Sequence, residues 1–139
     1  MARDFGYFSL SGDFDPDDIS KKLGLSPTWV QRIGDPGPPD AIGPRSGAEW
    51  CLACTDDEYG DIADQIIMLV TTLKSKAATV AELSPKFDGR FNLVAYLNGN
   101  YPGFFLMASI VRDLASLNVD LDCKYIYASD EPIEDKYAD

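Results

Sequence analysis

The stretch LSGDFDPDDISKKLG, residues 10–24, decides the fold because a strand gives way to a helix within it. Asp15 is a favourable N-cap residue, and Pro16 suits the first helical position because its missing N–H would have no partner there. Ile19 and Leu23 then fall on one face of the helix, four residues apart. The stretch therefore predicts a strand that leads directly into a short amphipathic helix.

The aspartates in this stretch raise a second possibility, a calcium site. Asp13, Asp15 and Asp17 have the spacing that opens an EF-hand loop, which also requires glycine at its sixth position and glutamate at its twelfth. Those positions hold Asp18 and Gly24. Acidic side chains in the first turn of a helix interact favourably with the positive end of its dipole. We therefore interpret the aspartates as a helix start and expect no metal.

The remaining sequence alternates between strand and helix patterns. One segment, residues 61–83, has apolar residues at helical spacing, with a possible break near residues 74–76. A further helix is predicted from Phe105 to Leu117. Strands are predicted at residues 5–12, 26–34, 48–55, 90–99 and 119–128.

A short sequence pattern that occurs twice indicates how these elements are arranged. LSGDF (10–14) and LNGNY (97–101) share a Leu-x-Gly-x-aromatic pattern, each at a strand end before a helix. We predict an α+β fold with two βαβ-like units around a central helical segment, and a mainly antiparallel sheet with helices packed on one face. Residues 1–128 are predicted to form one domain, followed by an acidic, flexible tail at 129–139.

Composition excludes several classes of function. The chain has 12 basic and 23 acidic residues, a net charge of −11, which disfavours nucleic acid and anionic membranes as partners. No apolar run reaches the roughly 18 residues of a membrane span, and the first residues lack a signal-peptide pattern. We therefore expect a cytoplasmic protein with no membrane partner.

The absence of histidine limits the available chemistry. It excludes Ser-His-Asp and Cys-His catalysis and any His-ligated metal within this chain. Cys51 and Cys54 form a C-x-x-C motif, but only Cys123 remains as a further thiol ligand, and zinc needs four. In a strand, positions i and i+3 face opposite sides, so we interpret these cysteines as buried structural thiols and expect no cofactor.

The run from Gly12 to Thr28, followed by Gly34 and Trp50, resembles the bacterial family known as domain of unknown function 4279. Later features fit the resemblance, which covers about residues 7–127: the helix after Asp61, the PGFFL segment at 102–106, and Leu121, Asp122 and Tyr125 near the end. The resemblance implies a small single-domain protein with no established catalytic residues. Some members of the family resemble immunity proteins encoded beside secreted toxins.

These observations favour a non-catalytic, protein-binding domain, an immunity or inhibitor protein that neutralises a toxin or another basic protein. Acidic residues attract a basic partner, and an exposed tyrosine in a turn is a frequent contact residue. The predicted contact surface is the loop at residues 34–47 and a partner-binding set of Asp56, Asp57, Glu58 and Tyr101.

Two alternatives remain open. Paired βαβ-like units often bind a ligand at strand–helix junctions, which predicts a small-ligand-binding regulatory domain with its site near Gly12 and Gly99. An enzyme that uses carboxylates alone is the third hypothesis, and substitutions of Asp13 and Asp122 would test it. Its paired carboxylates could be drawn from Asp56, Asp57, Glu58, Asp61 and Asp64.

Overall fold

The computed structural model describes residues 4–37, 43–54, 61–97 and 105–127. Within them five strands and four helices follow one another along the chain. Their order is β1 (Phe5–Gly12), α1 (Pro16–Leu23), β2 (Trp29–Gln31), β3 (Ala48–Ala53), α2 (Ile62–Lys74), α3 (Ala77–Lys86), β4 (Arg90–Leu97), α4 (Ala108–Ser116) and β5 (Asp120–Tyr127).

The strands form one mixed sheet in the order β2-β3-β1-β4-β5. Three of the four neighbouring pairs are antiparallel, and β4 runs parallel to β5. Because β2 and β1 are each antiparallel to β3, they are parallel to one another with β3 between them. The predicted α+β fold, with two βαβ units and helices on one face, is confirmed.

The helix start in the opening stretch is confirmed in detail. Asp15 caps α1 by accepting a hydrogen bond from the Asp17 N–H at 3.0 Å, with Pro16 at the first position. Gly24 ends the helix with φ of 65°, a left-handed conformation that favours glycine. Ile19 is buried against the core, as the spacing predicts.

The central helical segment breaks where the sequence indicates. The first piece, α2, ends at Lys74, and α3 begins at Ala77. Every apolar residue at helical spacing in residues 61–83 is buried, which confirms the predicted inward face: Ile62, Ile66, Leu69, Leu73, Val80 and Leu83. Within the described residues no helix is long and apolar enough to cross a membrane.

The core lies between the sheet and the helices. Phe8, Trp50 and Phe91 are completely buried, and the rings of Phe8 and Phe91 meet edge to face with centroids 5.8 Å apart. The indole N–H of Trp50 donates to the Ser20 hydroxyl on α1 at 3.0 Å. This bond satisfies the only polar atom of the side chain and fixes α1 against β3.

Gln65 on α2 is completely buried, and its side-chain amide forms hydrogen bonds with the backbone at the start of β1, as a neighbouring strand would. Its Oε1 accepts from the Gly6 N–H at 2.9 Å, and its Nε2 donates to the Asp4 carbonyl at 3.1 Å. The described pairing of β1 with β3 covers Tyr7 to Gly12. The Gln65 amide therefore provides hydrogen-bond partners for backbone groups of β1 that lie beyond the end of this pairing.

A proline in α3 links that helix to the end of α4. Pro85 has no N–H, so the Ala81 carbonyl loses its helical partner. The Asn118 amide donates to that carbonyl at 3.0 Å. Asn118 has φ of 58°, and Asp88, in the equivalent position after α3, has φ of 50°. Each of these residues turns the chain from a helix into the following strand.

Two predicted boundaries are wrong, and two large aromatic side chains are exposed. The helix predicted to begin at Phe105 begins at Ala108, and β2 is only three residues long. Phe105 and Trp29 are 77% and 40% exposed. Phe105 lies outside the helix, and Trp29 lies on the side of the sheet that the helices leave uncovered.

Candidate binding surface on the open sheet face

The two faces of the sheet differ because strand side chains alternate. Phe8 and Leu10 of β1 point to the helices and are completely buried. Tyr7 and Ser9 point to the opposite side, on which no described helix packs. We call this side the open face. Its central side chains are Phe5, Tyr7, Ser9, Trp29, Gln31, Glu49, Cys51, Arg90, Asn92 and Asp122.

An aromatic row crosses one end of the open face. Phe5 and Tyr7 stack with centroids 5.9 Å apart and 19° between their planes. Tyr7 also meets Trp29 at 5.0 Å, although β3 lies between their strands. Trp29 remains 40% exposed. The row therefore presents a large apolar surface whose geometry is fixed by ring contacts.

Cys51 lies beneath this row on β3, opposite Trp29 on one side and Ser9 on the other. It is completely buried, and its thiol donates to Glu49 Oε1 at 3.4 Å. Burial, together with the negative charge of Glu49, strongly raises the pKa of the Cys51 thiol. A thiol that stays protonated is a poor nucleophile, so this position favours packing over redox chemistry.

A polar network occupies the middle of the open face. Asn92 is almost fully buried, and its amide donates to the Ser9 hydroxyl at 2.8 Å. Arg90 donates from Nη2 to Asp88 at 2.7 Å and from Nη1 to Asp122 at 3.3 Å. The guanidinium is thereby held in place beside the aromatic row, with part of its surface exposed.

The pKa of Tyr7 reflects its position between the aromatic row and the polar network. Burial raises the pKa of Tyr7, and the neighbouring Cys51, Glu49 and Asp122 add to the rise, whereas Arg90 opposes it. The phenol therefore stays neutral near neutral pH. It can donate or accept a hydrogen bond at a contact surface, and it supplies no anionic nucleophile.

The aspartates of residues 13–17 contribute to a second cluster, at the start of α1. Arg32 donates to Asp15 at 3.1 Å and to Asp17 at 2.9 Å, which ties the chain after β2 to the start of α1. The hydrogen bond from Arg32 lowers the pKa of the Asp17 carboxyl. A cleft of about 400 Å³ lies there, lined by Asp13, Phe14, Asp15, Pro16, Arg32 and Ile33.

The described cysteines and carboxylates do not form a metal centre. Across residues 4–37, 43–54, 61–97 and 105–127, no group of three or more Cys, Asp or Glu side chains is placed to hold a metal ion. Cys51 and Cys54 are buried thiols, as predicted. Asp122, a candidate of the carboxylate hypothesis, is paired with Arg90.

Most of the predicted contact residues lie outside the part of the chain that the structure describes. They are Asp56, Asp57, Glu58 and Tyr101, and Gly99 of the ligand hypothesis lies outside it as well. The tail at 129–139 is likewise not among the described residues. The predicted partner-binding set therefore stays a prediction.

The loop at residues 34–47 is described at both of its ends. The Gly34 N–H donates to the Arg45 carbonyl at 2.8 Å, and the Arg45 N–H donates to the Asp35 carbonyl at 2.8 Å, so the two ends are held together. Gly12 lies at the end of β1, directly before Asp13 and the cleft at the start of α1.

The sequence contained one overlooked signal for the open face. In β1, the alternation places Phe5 and Tyr7 opposite the core residues, so aromatic side chains occur on both faces of the strand. A strand with aromatic residues on both faces either lies between two layers or carries a contact surface. The reach of Trp29 across β3 could not be predicted, because it depends on the strand order.

Fold and surface together define the class: a small α+β domain whose described helices all pack on one face of the sheet. The family model described as "Domain of unknown function (DUF4279)" matches residues 5–128, and the chain belongs to this family. The match extends over all five strands and four helices. No curated protein and no solved structure matches the chain.

Proposed function

We propose that this domain is a non-catalytic, cytoplasmic binding protein that holds a basic protein partner against its open face. The observation that carries the proposal is the aromatic row, in which the exposed Trp29 rests on Tyr7 with centroids 5.0 Å apart. Exposing a tryptophan to water costs free energy that a bound partner would recover.

The composition of the open face is typical of interface hot spots. Tryptophan, tyrosine and arginine dominate the binding energy of protein interfaces, and the open face carries Trp29 on β2, Tyr7 on β1 and Arg90 on β4. Ring contacts and ion pairs already hold these side chains in position. Binding would therefore immobilise few additional rotamers, which reduces its entropic cost.

Charge favours a basic partner. The chain carries a net charge of −11, Asp88 and Asp122 pair with Arg90, and Glu49 adds a further carboxylate to the open face on β3. Complementary charge accelerates association and selects among partners, and its effect weakens as salt rises. We expect an interface with an aromatic centre and an acidic rim.

The specific role we propose is that of a bacterial immunity or inhibitor protein that neutralises a toxin. The acidic charge, the absence of histidine and the aromatic binding surface support this role, because an inhibitor needs affinity and no catalytic residues. In this proposal the acidic residues Asp56, Asp57 and Glu58, together with Tyr101, extend the contact surface beyond the open face.

The first test is capture of the partner. Tagged protein is incubated with lysate of the source cell, washed at low and then at high salt, and the eluates are identified by mass spectrometry. We expect one basic protein that is released by salt. Trp29→Ala should lose it, whereas Val111→Ala, which shortens an exposed apolar side chain on α4, should retain it because the helices lie on the opposite face. Equal retention by both variants would contradict the placement on the open face.

A second test separates neutralisation from simple binding. The captured protein is expressed in a host cell with and without this chain, and growth is measured. We expect the partner alone to arrest growth, the wild-type chain to restore it, and Trp29→Ala to fail. A partner without any effect on growth would contradict the immunity role and leave a binding protein of another kind.

The cleft at the start of α1 supports a second candidate function, a small-ligand-binding regulatory domain. Its lining combines the apolar Phe14 and Pro16 with the cation Arg32, beside Gly12 where the alternative places a site. A thermal-shift screen of common metabolites tests it, with Arg32→Ala as the control. A ligand that raises the melting temperature of the wild type, and not of the variant, would favour this function.

A further inference from the structure

Glu49 on β3 is a half-buried carboxylate whose charge no cation balances within the described part of the chain. Its Oε1 accepts a hydrogen bond from the Cys51 thiol at 3.4 Å, and no described lysine or arginine forms an ion pair with it. Asp122, which is also half-buried, is paired with Arg90 at 3.3 Å. A carboxylate that has lost part of its hydration gains free energy from a nearby cation, so Glu49 is suited to attract one.

This carboxylate lies beside the aromatic row. Cys51, which contacts it, is directly opposite Trp29 in the pairing of β2 with β3. Glu49 is two residues along β3 from Cys51, about 7 Å at the spacing of a strand, and its contact with the thiol turns the carboxylate toward the level of Trp29. Its charge also acts on Tyr7, whose pKa is raised by burial first and then by neighbouring charges that include Glu49.

An aromatic face next to a carboxylate attracts cations in two ways. The face of an aromatic ring carries a negative potential, and tryptophan binds a cation placed over its face more strongly than tyrosine or phenylalanine does. Trp29 is 40% exposed, and it meets Tyr7 at an angle of 56° instead of in a parallel stack. Part of the indole therefore faces water, where a cation can lie over the ring with the carboxylate at its side.

The two described arginines nearest to this site in the sheet are engaged elsewhere. Arg90 on β4 donates to Asp88 at 2.7 Å and to Asp122 at 3.3 Å. Arg32, which follows β2, donates to two aspartates at the start of α1 at 3.1 and 2.9 Å. Neither guanidinium contacts Glu49, so neither supplies the missing charge at this position.

The combination of a ring and a carboxylate favours arginine over lysine. A guanidinium is planar, so it can stack on the indole and at the same time donate two hydrogen bonds to one carboxylate. It is also more weakly hydrated than an ammonium group, so less free energy is lost when it leaves water. A lysine ammonium would satisfy the charge of Glu49 without this match in shape.

We propose that Trp29, Tyr7 and Glu49 form a binding site for one arginine side chain of the basic partner, with its guanidinium over the indole of Trp29 and hydrogen-bonded to the Glu49 carboxylate. This inference rests on the proposed function, which supplies the partner. It adds the chemistry of the partner residue at the centre of the interface.

A titration of the isotope-labelled full chain with three short peptides, followed by NMR, tests the site. The peptides are blocked at both ends and differ only in a central arginine, lysine or citrulline, which is the neutral isostere of arginine. The chain has two tryptophans and hence two indole N–H signals, and Trp29→Phe identifies the signal of position 29. The signal of Trp50, which is buried and donates to Ser20, is the internal control.

We expect the arginine peptide to shift the Trp29 signal with a dissociation constant of about 1 mM, which corresponds to about 4 kcal/mol. The lysine peptide should bind at least about threefold more weakly, and the citrulline peptide should leave the signal in place. The Trp50 signal should not move with any of the three. No shift at Trp29, or equal shifts with arginine and citrulline, would overturn the proposal.

Two matched variants test the carboxylate. Glu49→Gln keeps the size of the side chain and removes its charge, and we expect it to weaken binding of the arginine peptide about tenfold. Glu82→Gln makes the same change on the exposed surface of α3 and should have no effect. An unchanged Trp50 signal shows that each variant is folded. Equal affinity of the two variants for the arginine peptide would overturn the role of Glu49.

The peptide titration and the capture of the partner can fail separately. A captured basic protein that binds Glu49→Gln as tightly as the wild type would overturn the arginine site and leave the proposed function standing. A Glu49-dependent shift with the arginine peptide, together with no basic protein in the capture experiment, would overturn the proposed function and leave the arginine site standing.

Discussion

The two tryptophans of this protein occupy opposite faces of the same pair of strands. Trp50 on β3 points to the helices, is completely buried and donates a hydrogen bond to Ser20. Trp29 on β2 points to the open face, contacts Tyr7 and remains 40% exposed. The same side chain thus stabilises the fold in one place and forms a contact surface in the other.

The comparison shows that the burial of a side chain determines whether it stabilises the fold or forms a contact surface. The helix-covered face removes apolar side chains from water, so substitutions there should lower stability. On the open face, substitution of a partly exposed side chain such as Trp29 removes less buried area from the isolated domain, so its effect should be seen mainly in binding. Four predictions test this division, beginning with the largest expected effect.

Trp50→Ala should lower the free energy of unfolding by about 3–5 kcal/mol, because it removes a large core side chain and leaves a cavity between β3 and α1. Urea denaturation measures the change. Trp50→Phe separates packing from the Ser20 hydrogen bond and should cost less. A loss below about 1 kcal/mol for Trp50→Ala would contradict its assignment to the core.

Gln65→Leu should cost about 1–3 kcal/mol, because the Gly6 N–H and Asp4 carbonyl lose the partner that the buried amide supplies. Gln31→Leu is the matched control on the open face, where the amide donates to the Gly47 carbonyl at 2.9 Å and is only half-buried. Denaturation of both variants should show the larger loss for Gln65. The reverse order would contradict the different roles of the two faces.

The pH dependence of stability reports on the buried thiol of the open face. The pKa of Cys51 is raised in the folded protein, so the unfolded chain loses its proton first as pH rises past about 8.5. Between about pH 8.5 and 10 the free energy of unfolding should fall, by at most about 1.4 kcal/mol per pH unit for this group. Cys51→Ala should flatten the slope, and an unchanged slope would contradict a buried thiol.

Trp29→Ala should change stability least, by less than about 1 kcal/mol, because the ring is partly exposed. It should uncover Cys51, which lies beneath the aromatic row. We therefore expect faster modification of that thiol by a small reagent, followed by mass spectrometry of the labelled peptide. A large loss of stability without faster labelling would place Trp29 in the core instead.

The sequence predicted the covered face well because that face is built from local periodicity. The helical spacing in residues 61–83, the N-cap Asp15 and the terminal Gly24 are all local signals, and each has the predicted place in the structure. The pattern shared by residues 10–14 and 97–101 led to the prediction of two βαβ units, which the fold confirms, although residues 98–101 lie outside the described ranges.

The open face could not be predicted in the same way. Its contacts join residues that are distant in sequence, such as Tyr7 with Trp29 and Ser9 with Asn92, and they depend on the order of strands in the sheet. The partner of Arg32 was missed for the same reason, because residues 15 and 32 meet only after α1 has folded back. Local propensity contains no information on such contacts.

Site-specific photo-cross-linking in the source cell tests the central claim most directly, because it captures a partner of any identity at a chosen position. A photoreactive phenylalanine derivative is introduced at Trp29 and, in a second chain, at Val111, an exposed position on α4 and therefore on the opposite face. We expect a cross-link to one basic protein from position 29 and none to that protein from position 111. A cross-link from position 111 alone, or equal yields from both positions, would contradict a binding surface on the open face.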